Sequence, residues 1–212
     1  LDNIAVGTLD SWVIAKLTGN HFTDASNASR TMLYNIFDCK WDDELIELFN
    51  IPKKILPQVL PTYGNSIYGY TKNEAPFFKK IPISAVFGDQ QSALFGQRCL
   101  KKQDVKSTFG TGSFIMASAE DNKICSKNNL ISTIYYMSDD GNTHYALEGS
   151  IYNSGSLLQW LKEDLGLISD YSEIEKIAQK IDYQKDLFII PAFTGLGAPY
   201  WDSYARGIII GI

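Results

Sequence analysis

Apolar residues recur along the first half of the chain at two spacings. Leu9, Trp12, Val13 and Leu17 lie at helical spacing, Thr8 is suited to cap that helix, and Gly19 supplies a stop. HFTDASNASRT (21–31) is rich in Asp, Ser and Asn and reads as a turn-laden loop. WDDELIELFNI (41–51) predicts a short helix, with Asp42, Asp43 and Glu44 near its positive N-terminal end. Pro52, Pro57 and Pro61 then break regular structure. NSIYGYT (65–71) predicts a short strand. IPISAVF (81–87) is a near-continuous apolar run, the pattern of a strand buried on both faces, and DQQSALFGQ (89–97) is the helix that follows it.

The second half is richer in strands. VKSTF, GTG and SFIMAS (105–118) predict strand, glycine turn and strand. STIYYM and THYALEG flank SDDGN (138–142), a hairpin with a turn of the Asp-Gly kind. SGSLLQWLKEDLG (154–166) predicts a helix with Leu157, Leu158 and Leu161 inward, and SEIEKIAQKI (172–181) a second amphipathic helix. DLFIIPAF (186–193) reads as another buried strand, FTGLGAPYWD (193–202) as a loop and RGIIIGI (206–212) as a final strand. The class is α/β in two lobes rather than a simple strand–helix alternation. The polar connector LKKQD (100–104) places the boundary, giving domains 1–99 and 100–212.

Composition narrows the function. With 212 residues, 45% hydrophobic and 20% charged, the chain is ordinary for a globular protein. Its net charge of −5 argues against a nucleic-acid partner, which needs a Lys/Arg surplus on one face. No apolar run reaches the roughly 18 residues of a membrane span. LDNIAVGTLDSW has neither the basic start nor the apolar core of a signal peptide. Cys39, Cys99 and Cys125 are odd in number and far apart, which fits reduced thiols in a cytoplasmic protein. Two distant histidines, His21 and His144, supply a zinc site or a Ser-His-Asp triad poorly. The chain has no initiator methionine and stops inside an apolar run, so an internal segment of a longer protein is expected.

Four stretches have residues fit for chemistry. Asp89 stands where a predicted strand gives way to a helix, the usual place for a site in an α/β sheet. It is either a helix cap or a functional carboxylate, and Gln90 and Gln91 beside it suit a polyol because each amide both donates and accepts. FGTGS (109–113) is either a tight hairpin or a turn that aims backbone N–H groups, and the Thr111 hydroxyl, at an anion. EGSIYNSGSLLQW (148–160), with Gly149 and Gly155, allows either close helix packing or close approach to a flat ligand such as a nucleotide. FTGLGAPYWD is a stiff aromatic loop that alone reads as a structural corner.

Taken together, GTLDSW, TDASNASRTMLYNI, WDDELIELFNIP, ILPQV, IPISAVFGDQQSALFGQ, FGTGSF, YALEGSIYNSGSLLQWL and PAFTGLGAPYWDSYARG, in this order and spacing, resemble glycerol kinases of the FGGY carbohydrate kinase family. The resemblance spans nearly the whole chain. It implies a ribonuclease H-like/actin-like ATPase fold of two lobes, each only partly present, with the active site in the cleft between them. The expected function is ATP-dependent phosphorylation of glycerol to sn-glycerol 3-phosphate. Asp89 matches the general base and lies near Mg2+ through water. Gln90 matches a glycerol contact, and Phe114 an aromatic on the apolar side of glycerol. Thr111, between Gly110 and Gly112, matches a residue reaching the terminal phosphates; Gly155 and Gln159 match positions near the nucleotide. A cytoplasmic enzyme, homo-oligomeric at full length, is also implied.

The family's N-terminal phosphate loop, its Arg-Glu pair, its Trp and Tyr for glycerol and its C-terminal adenine segment are absent, so this segment alone should not turn over. NEAPFFKKIPIS (73–84) has Lys80 at an arginine position and none of the glycines of the anion loop that some bacterial members carry, which disfavours that mode of regulation. The competing readings are a pentulose or other polyol kinase of the same family and a non-catalytic actin-like ATP-binding module.

Overall fold

The computed structural model describes residues 4–65, 67–120, 124–181 and 186–212. Helix α1 (Leu9–Thr18), strand β1 (Phe22–Asp24), helix α2 (Ala25–Ala28), strands β2 (Tyr34–Asn35) and β3 (Lys40–Trp41) and helix α3 (Asp43–Leu48) open the chain. After a 3-10 turn at Lys53–Ile55 come β4 (Gln58–Leu60), β5 (Gly69–Tyr70), β6 (Pro82–Ile83) and α4 (Asp89–Gly96). Strands β7 (Val105–Phe109), β8 (Ser113–Glu120), β9 (Ile131–Met137) and β10 (Thr143–Ile151) precede helices α5 (Gly155–Glu163) and α6 (Ser172–Ala178). β11 (Phe188–Ile190) and β12 (Ile208–Ile210) close the chain. β7, β8, β10 and β9 form, in that order, a four-stranded sheet. The remaining strands pair in twos: β1 with β4 in parallel, and β2–β3, β5–β6 and β11–β12 antiparallel.

The chain divides into two compact units. One comprises the residues through Lys106 with Ala117–Cys125 and Ser132–Leu147; the other comprises Ser107–Met116, Ser126–Ile131 and Glu148–Ile212. The core of the first gathers Ala25, Ala28, Tyr34, Ala119, Ile134 and Tyr145, with Trp41 and Val59 packed against it.

Local signals explain several elements. α3 starts at Asp42, whose carboxylate accepts the Glu44 and Leu45 N–H groups at 3.1 Å each. α1 ends at Gly19 in the left-handed region (φ 87°), whose N–H donates to Ala15. The SDDGN turn closes through Gly141 N–H to Ser138 O at 3.0 Å. Thr8 precedes α1 in extended backbone, but its hydroxyl donates to Asp10 rather than capping the helix. Ser66, within NSIYGYT, lies outside the described residues, as do the first three residues of LDNIAVGTLDSW.

The HFTDASNASRT stretch is not a loop. It forms β1 and α2, because buried Asp24 organises it. Asp24 Oδ2 accepts Ser26 N–H and the Thr62 hydroxyl, both at 2.8 Å, and Oδ1 accepts Asn27 N–H at 2.9 Å and Asn27 Nδ2 at 2.7 Å. Thr62 in turn accepts the Met137 N–H. Burial pushes the Asp24 carboxyl above the usual carboxylate range, and the hydrogen bonds oppose that rise.

The apolar runs behave differently from their patterns. α1 buries Ser11 and Ile14, whereas Leu9 and Trp12 are exposed. In IPISAVF, Pro82, Ser84 and Ala85 are exposed and Ile83 is half-buried. The Phe188–Ile190 strand expected to be buried is exposed along its length, as is β12 opposite it. On α5, Leu157 and Leu161 are half-buried and Leu158 is exposed.

Candidate functional site

In the first unit, α4 begins directly behind the apolar segment 81–87. Gly88, in extended backbone, is the residue before the helix, so Asp89 is the first helical residue and not its cap. Gly88 N–H donates to Ser26 Oγ at 2.8 Å, which ties this corner to α2. Asp89 Oδ1 accepts the Gln90 N–H at 2.8 Å, and the carboxylate stays exposed at the positive end of the helix. Asp89 lines a cavity of about 640 Å³. Leu9, Val13 and Leu17 of α1 line it too, with Ile83 and Phe87, whereas Trp12 of the same predicted stripe does not.

The two glutamines part company. Successive helical residues point about 100° apart, so one can enter the core while its neighbour does not. Gln91 is 3% exposed, and its Nε2 donates to Thr133 Oγ1 at 3.4 Å and to Ile134 O at 3.3 Å. It is a core residue, and its amide is committed there rather than left for a polyol. Gln90 is half-buried, and its Oε1 accepts a hydrogen bond from Lys106 Nζ. Sequence reading missed Lys106, because a lysine in a strand ordinarily reads as a solvent-facing position.

In the second unit, the glycine turn after β7 packs on the start of α5. Ser154 N–H and Ser156 N–H donate to Thr111 O at 2.9 and 3.1 Å, and Gly155 N–H donates to Gly110 O at 2.9 Å. Turn carbonyls thus satisfy the first amides of α5, whose leading residue Ser154 offers no side-chain cap. The glycines are there for space. A Cβ on Gly155 would sit 2.6 Å from Gly110 O, and one on Gly112 would sit 2.5 Å from Ile151 O. Thr111 is exposed at the tip of the turn. Ser113 Oγ bonds Ser154 Oγ at 2.8 Å, and half-buried Phe114 follows it on β8. Gln159, one turn into α5, is exposed and donates to Glu163 Oε2 at 2.8 Å. Gly110, Thr111, Gly112 and Gly155 therefore form one constellation, and Asp89 and Gln90 belong to the other unit. The FTGLGAPYWD loop is a braced corner: a Cβ on Gly197 would sit 2.0 Å from Ser150 O, and Trp201 Nε1 donates to Asn129 O at 2.6 Å.

Among the described residues, no group of three His, Cys, Asp or Glu side chains is gathered to hold a metal, and no helix is long and apolar enough to cross a membrane. A Mg2+ ion held chiefly by phosphates and water needs only one or two carboxylates, and exposed Asp89 fits that mode.

Comparison with known proteins adds the family. Residues 3–96 match the N-terminal domain, and residues 105–212 the C-terminal domain, of the FGGY family of carbohydrate kinases. A glycerol kinase of Ligilactobacillus salivarius is 52% identical over 209 residues, covering 97% of this chain and 41% of that protein. One of Staphylococcus haemolyticus is 47% identical over 212 residues, covering 99% and 42%. The crystal structure of Plasmodium falciparum glycerol kinase with ADP superimposes with a TM-score of 0.88 at 39% identity, over 98% of this chain and 41% of that one. A xylulose kinase from Lactobacillus acidophilus shares the fold, with a TM-score of 0.75 at 23% identity over 95% and 41%. The chain spans about two-fifths of the length of the relatives it matches.

Proposed function

Because the chain belongs to the FGGY family of carbohydrate kinases, we propose that the full-length protein transfers the terminal phosphoryl group of ATP to glycerol, giving sn-glycerol 3-phosphate and ADP. Asp89 carries the reading: an exposed carboxylate at the first turn of α4, on the wall of an open cavity, beside an amide held in place by a buried lysine. In this reading Asp89 accepts the proton of the attacking hydroxyl while the new O–P bond forms and the bond to the ADP oxygen breaks. Aspartate is a weak base, but it need only take the proton late in the transfer. The remainder of the task is positioning and charge neutralisation.

Gln90 would bind glycerol and Phe114 would line its apolar side. Thr111, with Gly110 and Gly112, would face the terminal phosphates, and Gly155 and Gln159 the nucleotide. Mg2+, arriving with ATP, would be held by the phosphates and through water by Asp89, and would offset phosphate charge. Glycerol is favoured over a pentulose by relatives named glycerol kinase at 45–52% identity. The family matches at 3–96 and 105–212 support reading residues 1–99 as the end of the first lobe and 100–212 as the start of the second. The same reading carries a cytoplasmic, homo-oligomeric enzyme.

The test is ADP release by the full-length protein with glycerol, xylulose and ribulose in parallel. Turnover with glycerol is expected; turnover with a pentulose alone would overturn the substrate. Asp89→Asn should lower kcat about 10²–10⁴-fold with little change in KM for ATP. A near-normal kcat would remove Asp89 from the role of base.

A further inference from the structure

We propose that Lys106 is a positioning residue: it fixes the Gln90 amide so that its nitrogen faces the substrate and serves as a donor to a glycerol hydroxyl oxygen. The proposal rests on the reading of Asp89 and Gln90 as part of the glycerol site.

β7 is inverted with respect to an ordinary strand. Val105 is 56% exposed and Phe109 is 80% exposed, whereas Lys106 between them is 1% exposed. Burying an ammonium is costly unless acceptors surround it, so a lysine turned inward past an outward valine has a specific task. Its Nζ meets Gln90 Oε1. Which end of a glutamine amide is oxygen is ordinarily ambiguous, but an ammonium has three donors and no acceptor. The amide atom facing Lys106 is therefore the oxygen, since the flipped amide would set two donors head to head. With Oε1 engaged, the half-buried Gln90 offers Nε2, a donor, at its other end. A hydroxyl whose oxygen accepts from Gln90 keeps its own proton for another acceptor, and Asp89, the preceding residue, is such a group. Gln91 cannot substitute, because its Nε2 is committed to Thr133 and Ile134 in the core.

The experiment is steady-state kinetics of the full-length enzyme as wild type, Lys106→Met, Gln90→Ala, the double variant and Gln90→Glu. A hydrogen bond to a charged group sets the scale, so Lys106→Met should raise KM for glycerol about 10-fold or more, with KM for ATP within about twofold. In the Gln90→Ala background the same change should add less than about twofold, because the lysine acts through that amide. An undiminished effect there would mean a merely structural lysine and would overturn the proposal. If Lys106→Met does not fold, Gln90→Glu decides. The carboxylate of that variant keeps an acceptor for Lys106 and so preserves Tm, but it has no donor, so KM for glycerol should again rise about 10-fold. An unchanged KM in Gln90→Glu would refute donation by Gln90. If Gln90→Ala leaves KM for glycerol unaltered, the underlying assignment of Gln90 fails. If Gln90→Ala weakens glycerol but neither Lys106→Met nor Gln90→Glu does, only the role of Lys106 fails.

Discussion

Gly155→Ala adds one methyl group at the start of α5, and its cost can be worked from distances. The new Cβ would lie 2.6 Å from Gly110 O and 3.3 Å from Gly110 C, both backbone atoms that cannot rotate away. Ordinary C···O contact is about 3.3 Å, so the glycine turn and the helix start must separate by roughly 0.7 Å. Three bonds hold them together, at 2.9, 2.9 and 3.1 Å. The same displacement stretches them to roughly 3.6–3.8 Å, beyond hydrogen-bonding range. At about 0.5–1.5 kcal/mol each, the loss is about 1.5–4.5 kcal/mol. The better helix propensity of alanine offsets less than about 1 kcal/mol of it. The packing loss wins. Thr111, on the displaced turn, would move relative to a bound phosphate, and shifts near 1 Å cost on the order of 10²-fold in positioned chemistry. Full-length Gly155→Ala should therefore melt several degrees lower and show kcat/KM for ATP reduced about 10–100-fold, with KM for glycerol within about threefold. The assay is coupled ADP release, with each substrate varied at saturation of the other, beside a thermal melt. An ATP dependence within twofold of wild type, at unchanged Tm, would refute the close-approach argument.

Two further outcomes are expected. Asp24→Asn keeps the shape of the side chain but turns one end into a donor facing two donors; at about 1–3 kcal/mol for each orphaned group, denaturation should report a loss of about 2–6 kcal/mol, and a loss under about 0.5 kcal/mol would contradict the hydrogen-bond assignment. Burial pushes Tyr145 up to about 12 and also raises Tyr34, Tyr68 and Tyr135. The folded pKa values exceed the unfolded value near 10, so this stability is complete below about pH 10 and is lost as pH rises toward the folded values, at up to about 1.4 kcal/mol per pH unit for each tyrosine. The difference in phenolate absorbance between wild type and Tyr145→Phe should appear only near pH 12 or on unfolding; ionisation near pH 10 in the folded protein would contradict it.

Elements set by neighbours in sequence were legible. Asp42 caps α3, Gly19 stops α1, Gly141 turns the β9–β10 hairpin, and α4 starts where the apolar run ends, because each depends on dihedral preferences and hydrogen bonds within a few residues. The same local chemistry made Asp89 a candidate. Which side a residue faces is decided by distant partners. Gln90 and Gln91 are indistinguishable in the sequence, yet strand β9 claims one and Lys106, sixteen positions on, claims the other. HFTDASNASRT reads as a loop until Thr62 closes over Asp24. The apolar strands Phe188–Ile190 and Ile208–Ile210 have the composition of a core and are exposed here, since an apolar run does not by itself specify what covers it. Sequence alone determined the starts, stops and turns that neighbouring residues enforce, as at α3, α4, the end of α1 and the β9–β10 turn; only the tertiary structure decided which polar groups are satisfied internally, because a hydrogen bond between buried groups is specified by position in space and not by spacing along the chain.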